Sequence, residues 1–431
     1  MKRYVIAGVG ALAGFAAGVV LLPAAQSAAD NSAYKQLDLF GDAFERVRAN
    51  YVRPVKDSEL INNAIEGMVS SLDPHSSYMD AKAYADMKIQ TQGQFGGLGL
   101  EVTMDDGLVK VISPIDDTPA AKAGVKPGDY IAAIDNTPVQ GMTLNDATDR
   151  MRGAPGSKVK ITILRKGEKK PFDLTLTRAI VHVASVKFHR EGDIGYIRLS
   201  AFNEEAASGV ENAVKQLQKQ IGPNIKGYIL DLRNNPGGLL DEAIDVSDDF
   251  LQGGTIVSTK GRHSSDDHVY DAHGGDVTDG KPIIVLINQG TASAAEIVAG
   301  ALQDDKRAQI LGMTSFGKGS VQTIIPLSAG GGALRLTTAR YYTPSGHSIQ
   351  ALGITPNIMV AQGDEPSNGL QDVDEADLPG HLQGEAKTKK PTQVIKPAPG
   401  KKYDDFQLSY ALDVLRGKNT VAFVKSAMNA D

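Results

Sequence analysis

The amino-acid sequence predicts a multidomain α/β protein with helical segments at both ends. Apolar residues recur at helical spacing near the N-terminus, short β runs broken by glycine follow, and apolar strands then alternate with helices. A chain of 431 residues is long enough for two or three domains, each with its own core. The 46 glycines exceed the usual ~7% of a globular chain and predict many tight turns.

Residues 1–29 are predicted to be a signal peptide or a membrane anchor. Two basic residues precede an uncharged run from Tyr4 to Leu22, and small residues follow around Ser27 and Ala29. This order is typical of a secretory signal, although roughly 19 apolar residues could also just span a bilayer. Either alternative predicts a protein of the periplasm or cell envelope, and the second predicts one anchored in the inner membrane.

The remaining elements follow in chain order. Apolar residues from Leu37 to Tyr51 and from Leu60 to Leu72 predict a helical N-terminal segment over 30–92. Short apolar runs separated by glycine predict a β-rich module over 93–180. Residues 181–360 are predicted to form an α/β core with a largely parallel sheet.

Within that core, strands are predicted at Ile194–Leu199, Tyr228–Leu232 and Ile283–Ile287, and helices at Glu204–Gln220, Leu239–Leu251 and Ser293–Gln303. A stretch rich in Pro, Gly, Asp and Lys over 361–400 is predicted to be a polar linker. Residues 401–431 are predicted to be a C-terminal helical segment, with an amphipathic helix over Phe406–Leu415.

A glycine-rich turn directly precedes a strand at Gly96–Val102. Successive N–H groups in such a turn can bind an anion such as a peptide's terminal carboxylate, and the strand offers an edge to an added peptide. The predicted peptide-binding residues are Gly97, Leu98, Gly99 and Leu100. Asp117–Ile131 adds a short helix ended by Gly124 and a Pro-Gly-Asp turn. With this stretch, residues 93–180 resemble PDZ domains of the bacterial type.

Three segments of the predicted core carry candidate chemistry. Gly227–Gly238 ends a strand in polar residues and two glycines, whose N–H groups suit a developing oxyanion. Asn288–Glu296 delivers Ser293 at a helix N-terminus among small residues that leave room for a substrate backbone. Gly317–Gln322 places Lys318 and Gln322 four residues apart, on one face if the strand begins there.

Together these segments resemble the carboxy-terminal processing, or tail-specific, serine peptidases over Tyr34–Val360. The resemblance implies a crotonase-like or ClpP-like α/β protease core. It also implies Ser293 as nucleophile, Lys318 as general base and Gln322 as the residue that orients the lysine. Backbone N–H groups of Ala294 and of Gly237 or Gly238 would then form the oxyanion hole.

These residue types fit the implied chemistry. Serine needs an adjacent base, and lysine can serve only when it is neutral, so its site must be desolvated. Gln322 can accept a hydrogen bond without adding a negative charge that would keep the lysine protonated. The alternative for Ser293 taken alone is a helix cap, because serine is a favoured residue at that position.

Histidines offer a rival Ser–His–Asp mechanism. His263, His268 and His273 lie in the polar, Asp-rich stretch 264–278 or just before it, which favours an exposed hairpin or loop over a metal site. His347 follows a strand and is interpreted as structural or substrate-adjacent. The absence of cysteine excludes disulfides and thiolate metal sites, and we expect no metal and no cofactor.

The favoured interpretation is an exported serine endopeptidase that recognises C-terminal tails through residues 93–180 and cuts them through an acyl-enzyme on Ser293. The alternative is a catalytically inactive envelope scaffold that binds peptide tails. Expected partners are protein or peptide substrates with exposed C-terminal tails, an adaptor protein, and further copies of this chain through the terminal helices. A net charge of −6 with dispersed basic residues argues against nucleic acid.

Overall fold

The computed structural model describes residues 24–115, 117–182, 184–328, 331–363, 373–385, 394–398 and 403–418. They form two compact units, divided after Met68. Most of the predicted leader, residues 1–23, lies outside the described residues. Within them, no helix combines the length and the apolar character that crossing a membrane requires.

The first unit consists of two helices, α1 (Ala24–Asn50) and most of α2 (Asp57–Ser70). Large apolar side chains on α1 remain exposed to solvent, among them Tyr34, Leu37 and Phe40. The helical periodicity noted in the sequence therefore reflects true helices, although these large apolar side chains of α1 are exposed.

The second unit begins with β1 (Ser77–Met79), α3 (Ala81–Thr91) and β2 (Gln94–Gly97). A six-stranded antiparallel sheet follows, in the order β3-β4-β5-β7-β8 with β6 paired to β5. Its elements are β3 (Leu100–Asp105), β4 (Leu108–Pro114), α4 (Pro119–Lys122), β5 (Tyr130–Ile134), β6 (Thr137–Pro138), α5 (Leu144–Met151), β7 (Lys158–Leu164) and β8 (Phe172–Thr177). Alternate residues of β7 are buried, as expected for a strand with one face on a core.

The α/β core continues to the end of the described chain. Its elements are β9 (Ala179–His182), β10 (Val186–Glu191), β11 (Ile194–Leu199), α6 (Ala206–Ile221), β12 (Gly227–Asp231), α7 (Leu240–Asp248), β13 (Gly254–Gly261), β14 (His268–Ala272), β15 (Ile283–Ile287), α8 (Ala294–Asp304), β16 (Ala308–Gly312), β17 (Ser320–Pro326), β18 (Ala333–Tyr342), β19 (Ile358–Met359) and α9 (Phe406–Leu415). Strand β9 pairs with β2, so the β-rich module leaves the core and returns to it on neighbouring strands.

Two sheets form this core. The central sheet has the order β10-β11-β12-β15-β16-β19 and is parallel except for β10. Every residue of β12 and β15 is buried, which is typical of a parallel sheet covered on both faces. The second sheet has the order β1-β18-β13-β14, and β17 also pairs with β18.

Helices cover both faces of the central sheet. Helices α6, α7 and α8 share one apolar cluster with it, and α9 packs against the other face through Phe406, Ala411 and Val414. The sheet therefore covers these three apolar side chains of α9, and association through the 406–415 helix stays a prediction.

Two expectations need correction. The segment 30–92 is not helical throughout, because it contains β1 (Ser77–Met79), which pairs with the distant strand β18. No local sequence pattern predicts that pairing. The linker prediction for 361–400 does not hold for residues 373–385. There Glu375 is fully buried, and it donates its N–H to the carbonyl of Phe316 at 3.0 Å.

Candidate active site

Ser293 lies in a strained turn between β15 and α8. Its φ of 55° and ψ of −119° are unusual for a residue with a side chain, and it is 7% exposed. Residues in such conformations persist only where the surrounding structure holds them in place, and they are concentrated at functional sites. Here the enforcing contact is with Glu296, whose Oε2 accepts the Ser293 N–H at 2.8 Å.

The buried carboxylate of Glu296 joins the serine turn to the loop that carries Lys318. Its Oε2 also accepts the Lys318 N–H at 2.9 Å, and its Oε1 accepts the Gly317 N–H at 2.7 Å and the Ser315 hydroxyl. Burial raises the pKa of Glu296 to about 7, although these hydrogen bonds oppose the rise. One oxygen atom thus binds the backbones of both the predicted nucleophile and the predicted base.

Gly237 and Gly238 follow β12 and lie against the serine turn. A methyl group on Gly237 would lie 2.8 Å from Ser293 Cβ and 3.0 Å from the Ala294 nitrogen. The Gly237 N–H donates to Asn235 Oδ1 at 2.9 Å. Within the described part of the chain, the N–H groups of Gly238 and Ala294 bond to no backbone acceptor. Of the predicted oxyanion donors, Gly238 and Ala294 are therefore the uncommitted ones.

Lys318 lies in a tightly packed loop between β16 and β17. Added side chains at its neighbours would meet backbone, 3.1 Å from the Gly353 nitrogen for Gly317 and 2.2 Å from the Gln350 nitrogen for Gly319. Burial lowers the pKa of the Lys318 ammonium below its ordinary value. A desolvated lysine is more readily neutral and can then accept a proton.

Four charged groups also act on Lys318. The guanidinium of Arg335 on β18 lowers its pKa further, whereas the carboxylates of Glu375, Glu296 and Asp73 oppose the decrease. The protonation of this lysine is therefore set by burial first and by a balance of nearby charges second.

Gln322 lies close in sequence to Lys318 but not on a shared strand face. Strand β17 begins at Ser320, and its register with β18 shifts between Val321 and Gln322. The expectation of one common face is therefore wrong, because Lys318 lies in the preceding loop and an irregularity interrupts the alternation. The Gln322 Nε2 donates to Ser320 Oγ at 2.9 Å and to Thr337 Oγ1 at 3.3 Å. Its orienting role towards Lys318 stays a prediction.

Sequence reasoning missed the turn that follows α2. Asp73 is buried and accepts hydrogen bonds from the N–H groups of His75 and Ser76, the Ser76 hydroxyl and Thr337 Oγ1. Because Thr337 also accepts from Gln322, this turn belongs to the same polar network as the predicted site. In the sequence the turn signalled only the end of a helix.

Arg233, four residues before Gly237, connects β12 to α9. Its Nη2 donates to Asp231 Oδ2 at 2.6 Å and to Asp405 Oδ2 at 2.7 Å, and its Nη1 donates to Gln407 Oε1 at 3.1 Å. Burial alone would lower the pKa of Arg233, but the two carboxylates raise it overall. The charged guanidinium therefore holds the start of α9 to the strand that leads into the glycine pair.

The predicted peptide-binding turn, Gly97–Leu100, joins β2 to β3 beside α4. Gly99 has φ 74°, and a methyl group there would lie 2.3 Å from Thr118 Cβ, so only glycine fits. The Leu98 side chain is buried in the core of the module, and its carbonyl accepts from the Ala120 N–H at 2.9 Å. Among the described residues, the N–H groups of Leu98 and Gly99 reach no backbone acceptor. The turn can therefore offer its backbone, but not the Leu98 side chain, to a ligand.

The histidines of the rival mechanism lie on the exposed β13–β14 hairpin. His263 and His268 are exposed, and the His273 ring is 88% exposed and pairs with Asp248 Oδ2 at 3.1 Å. His347 is exposed as well. None of the four has the burial that the Ser293 and Lys318 region shares.

Three family models match separate parts of the chain. The model of peptidase family S41 matches residues 193–360. The model of the PDZ domain matches residues 96–176. The model described as the activating protease CtpB N-terminal domain matches residues 20–83. The first two ranges contain, respectively, the serine and lysine segments and the glycine turn described above.

Curated relatives match most of the chain. A carboxy-terminal-processing protease of Bartonella bacilliformis is 54% identical over 95% of this chain and 96% of its own. A carboxyl-terminal-processing protease of Synechocystis sp. is 41% identical, covering 73% of this chain and 75% of its own. The carboxy-terminal processing protease CtpB of Bacillus subtilis is 35% identical, covering 80% of this chain and 72% of its own.

Proposed function

We propose that this chain, which belongs to the carboxy-terminal-processing proteases of peptidase family S41, is an exported endopeptidase that cuts envelope proteins near their C-terminal tails. Membership of that family makes it a serine peptidase. Export is supported by the leader pattern in residues 1–29. Recognition of tails is supported by the PDZ match and by the uncommitted N–H groups of the Gly97–Leu100 turn.

The proposed mechanism uses Ser293 and Lys318 in turn. Neutral Lys318 takes the proton of the Ser293 hydroxyl while the oxygen attacks the scissile carbonyl carbon. The N–H groups of Ala294 and Gly238 stabilise the resulting oxyanion. The C–N bond then breaks, the lysine returns its proton to the departing amine, and an acyl-enzyme remains on Ser293. Water hydrolyses that ester by the same steps, which regenerates the serine.

One observation carries this assignment. The Oε2 atom of Glu296 binds the N–H of Ser293 at 2.8 Å and the N–H of Lys318 at 2.9 Å, so one rigid, buried group holds both backbones. Preorganisation of this kind is what a nucleophile and a base require. The lowered pKa of Lys318, caused first by burial, supports its role as the base.

Cleavage of a defined substrate tests the proposal. Purified protein is incubated with a disordered polypeptide that ends in apolar residues, beside Ser293→Ala, and the products are identified by mass spectrometry. We expect cuts near the tail, loss of cutting in the variant, and covalent labelling of Ser293 by a fluorophosphonate in the unaltered enzyme only. Equal cleavage by Ser293→Ala would show that another residue is the nucleophile.

Location and partners are tested by separate experiments. Cell fractionation should recover the protein from the periplasm or the inner membrane, and its recovery in the cytoplasm would contradict export. The exposed apolar residues of α1 support self-association, which sedimentation at micromolar concentration measures. An adaptor should appear in cross-linked complexes of the Ser293→Ala protein, and repeated recovery of substrates alone would count against one.

A further inference from the structure

Residues 373–385, which we call the acidic strap, bring a buried carboxylate into the region of the predicted base. The Glu375 side chain is fully buried. Its Oε2 lies 2.7 Å from His75 Nε2, and its Oε1 accepts from Gln350 Nε2 at 2.8 Å. Burial of a charged group costs free energy unless the group is paired. The buried position of Glu375 therefore depends on His75 and Gln350.

Two contacts place Glu375 beside the loop of Lys318. Its N–H donates to the carbonyl of Phe316 at 3.0 Å. Gln350, which donates to the Glu375 carboxylate, also accepts the Gly319 N–H at 3.1 Å. The strap thus contacts the backbone on both sides of Lys318. The contact with Phe316, before the lysine, is direct, and the contact with Gly319, after it, is made through the Gln350 side chain.

The three acids that act on Lys318 differ in how many hydrogen bonds their carboxylates accept. Glu296 on α8 accepts four hydrogen bonds, from three backbone N–H groups and one hydroxyl. Asp73 in the turn after α2 likewise accepts four. Among the described residues, Glu375 has the Gln350 amide and the His75 ring as its side-chain partners. It therefore makes the fewest hydrogen bonds of the three acids, and its effect on Lys318 is opposite to that of Arg335 on β18.

We propose that Glu375, fixed in place by His75 and Gln350, is a positioning residue that favours the charged form of Lys318, so that the acidic strap sets the lowest pH at which the enzyme cleaves. This inference rests on the proposed role of Lys318 as general base. A carboxylate near an ammonium favours its protonated state, which is the inactive one in that mechanism. Removal of the carboxylate should therefore increase activity on the acidic side of the pH profile, which loss of a purely structural contact would not do.

Glu375→Gln keeps the shape of the side chain and removes its charge. We expect the acidic limb of kcat/KM against pH to move down by about 1 pH unit. One unit below the wild-type midpoint, the variant should then be about fivefold more active, because half of Lys318 rather than about a tenth would be neutral. The matched control is Glu385→Gln on the same strap, whose carboxylate is 48% exposed and accepts from the Tyr342 hydroxyl. It should leave the profile unchanged.

A second measurement is independent of catalysis. An amine-reactive reagent modifies the neutral form of Lys318, and peptide mass spectrometry of the intact enzyme gives the rate of modification at each pH. In Glu375→Gln, the pH at which this rate is half-maximal should be lower than in the wild type. If that variant fails to fold, Glu375→Met removes the same charge with a side chain of similar volume. An unmoved limb, a limb moved upward, or a uniform loss of rate would overturn the inference. If Lys318→Ala is inactive and the pH profile of Glu375→Gln equals that of the wild type, only the proposed role of Glu375 is refuted. An active Lys318→Ala would refute the proposed Ser293–Lys318 mechanism itself.

Discussion

Replacement of Gly238 with alanine should remove most of the catalytic rate without unfolding the protein. Gly238 has φ 148°, and an added Cβ would lie 2.1 Å from the Phe202 carbonyl oxygen, against the 3.4 Å at which ordinary contact begins. The backbone at Gly238 must therefore move by about 1 Å. A displacement of that size can lower the catalytic rate by about 10²-fold when it affects the geometry of reacting groups.

The expected magnitude follows from the role proposed for its N–H. Loss of one oxyanion donor costs about 10²–10³ in kcat, which is roughly 3–4 kcal/mol of transition-state stabilisation. The unfavourable backbone conformation adds about 1–3 kcal/mol to the stability loss, because alanine rarely adopts it. We therefore expect a large decrease in kcat, a smaller change in KM and a moderate decrease in Tm.

Gly253→Ala separates these two effects. Gly253 has the same φ of 148°, but a Cβ there would meet nothing within 4 Å. This control should lose stability and retain a near-normal kcat. The assay is kcat and KM on a free-acid tail substrate, with thermal unfolding in parallel. A Gly238→Ala enzyme with the kcat of the control would refute the assignment of the Gly238 N–H as an oxyanion donor.

Three other outcomes are expected. Ser293→Ala and Lys318→Ala should each abolish cleavage, and the double variant should be no worse than either, because residues that act as one unit are non-additive. Wild-type activity of Lys318→Ala would contradict Lys318 as the base and favour a histidine in that role. Amidation of the substrate's C-terminus should weaken apparent binding ten- to hundredfold, about 1.5–3 kcal/mol, through lost charge-assisted hydrogen bonds. That dependence should disappear in Gly99→Ala but persist in Gly124→Ala, whose φ of 76° is similar and whose Cβ would meet nothing; equal cleavage of both substrates by the unaltered enzyme would contradict tail capture. Because burial raises the pKa of Glu296 from 4.5 to about 7, the native state binds more protons than the unfolded chain in that window. The free energy of unfolding should therefore fall by about 3 kcal/mol as pH rises through this window. Urea titrations of Glu296→Gln should lack that fall, and an equal fall in the variant would contradict Glu296 as its source.

The sequence predicted the central sheet well because its signal is local. Residues Ile283–Ile287 are a continuous apolar run, Ile194–Leu199 is apolar apart from Gly195 and Arg198, and the structure forms strands with both sets of bounds. A parallel strand covered on both faces is apolar along most of its length, so its limits are visible in the sequence. The amphipathic helix Phe406–Leu415 was also located to the residue.

Elements that depend on distant partners could not be read in this way. Strand β1 has three residues and exists because β18, more than 250 positions later, pairs with it. Glu375 lies in a polar stretch, and nothing in that stretch indicates that His75 will receive its carboxylate.

Glu296 differs from these cases because it had a local signal. A serine followed three residues later by glutamate at a helix start is a known capping pattern, and Ser293 and Glu296 have that spacing. The pattern could have predicted that the two residues interact, although the sequence analysis assigned Glu296 no role. It did not reveal that the same carboxylate also binds the lysine loop, because that contact is made only in the folded chain.

The ion network around Arg233 has a consequence for timing. One of the two carboxylate partners of Arg233, Asp405, lies 172 positions further along the chain. Until α9 docks, Arg233 keeps Asp231 as an ion-pair partner but lacks Asp405 and Gln407. A chain that is still being synthesised already contains Ser293 and Lys318, but the strand leading to the proposed oxyanion donors is not yet held to α9. Cleavage competence should therefore arrive last, after α9 docks, which would protect the emerging chain and its neighbours from premature cutting.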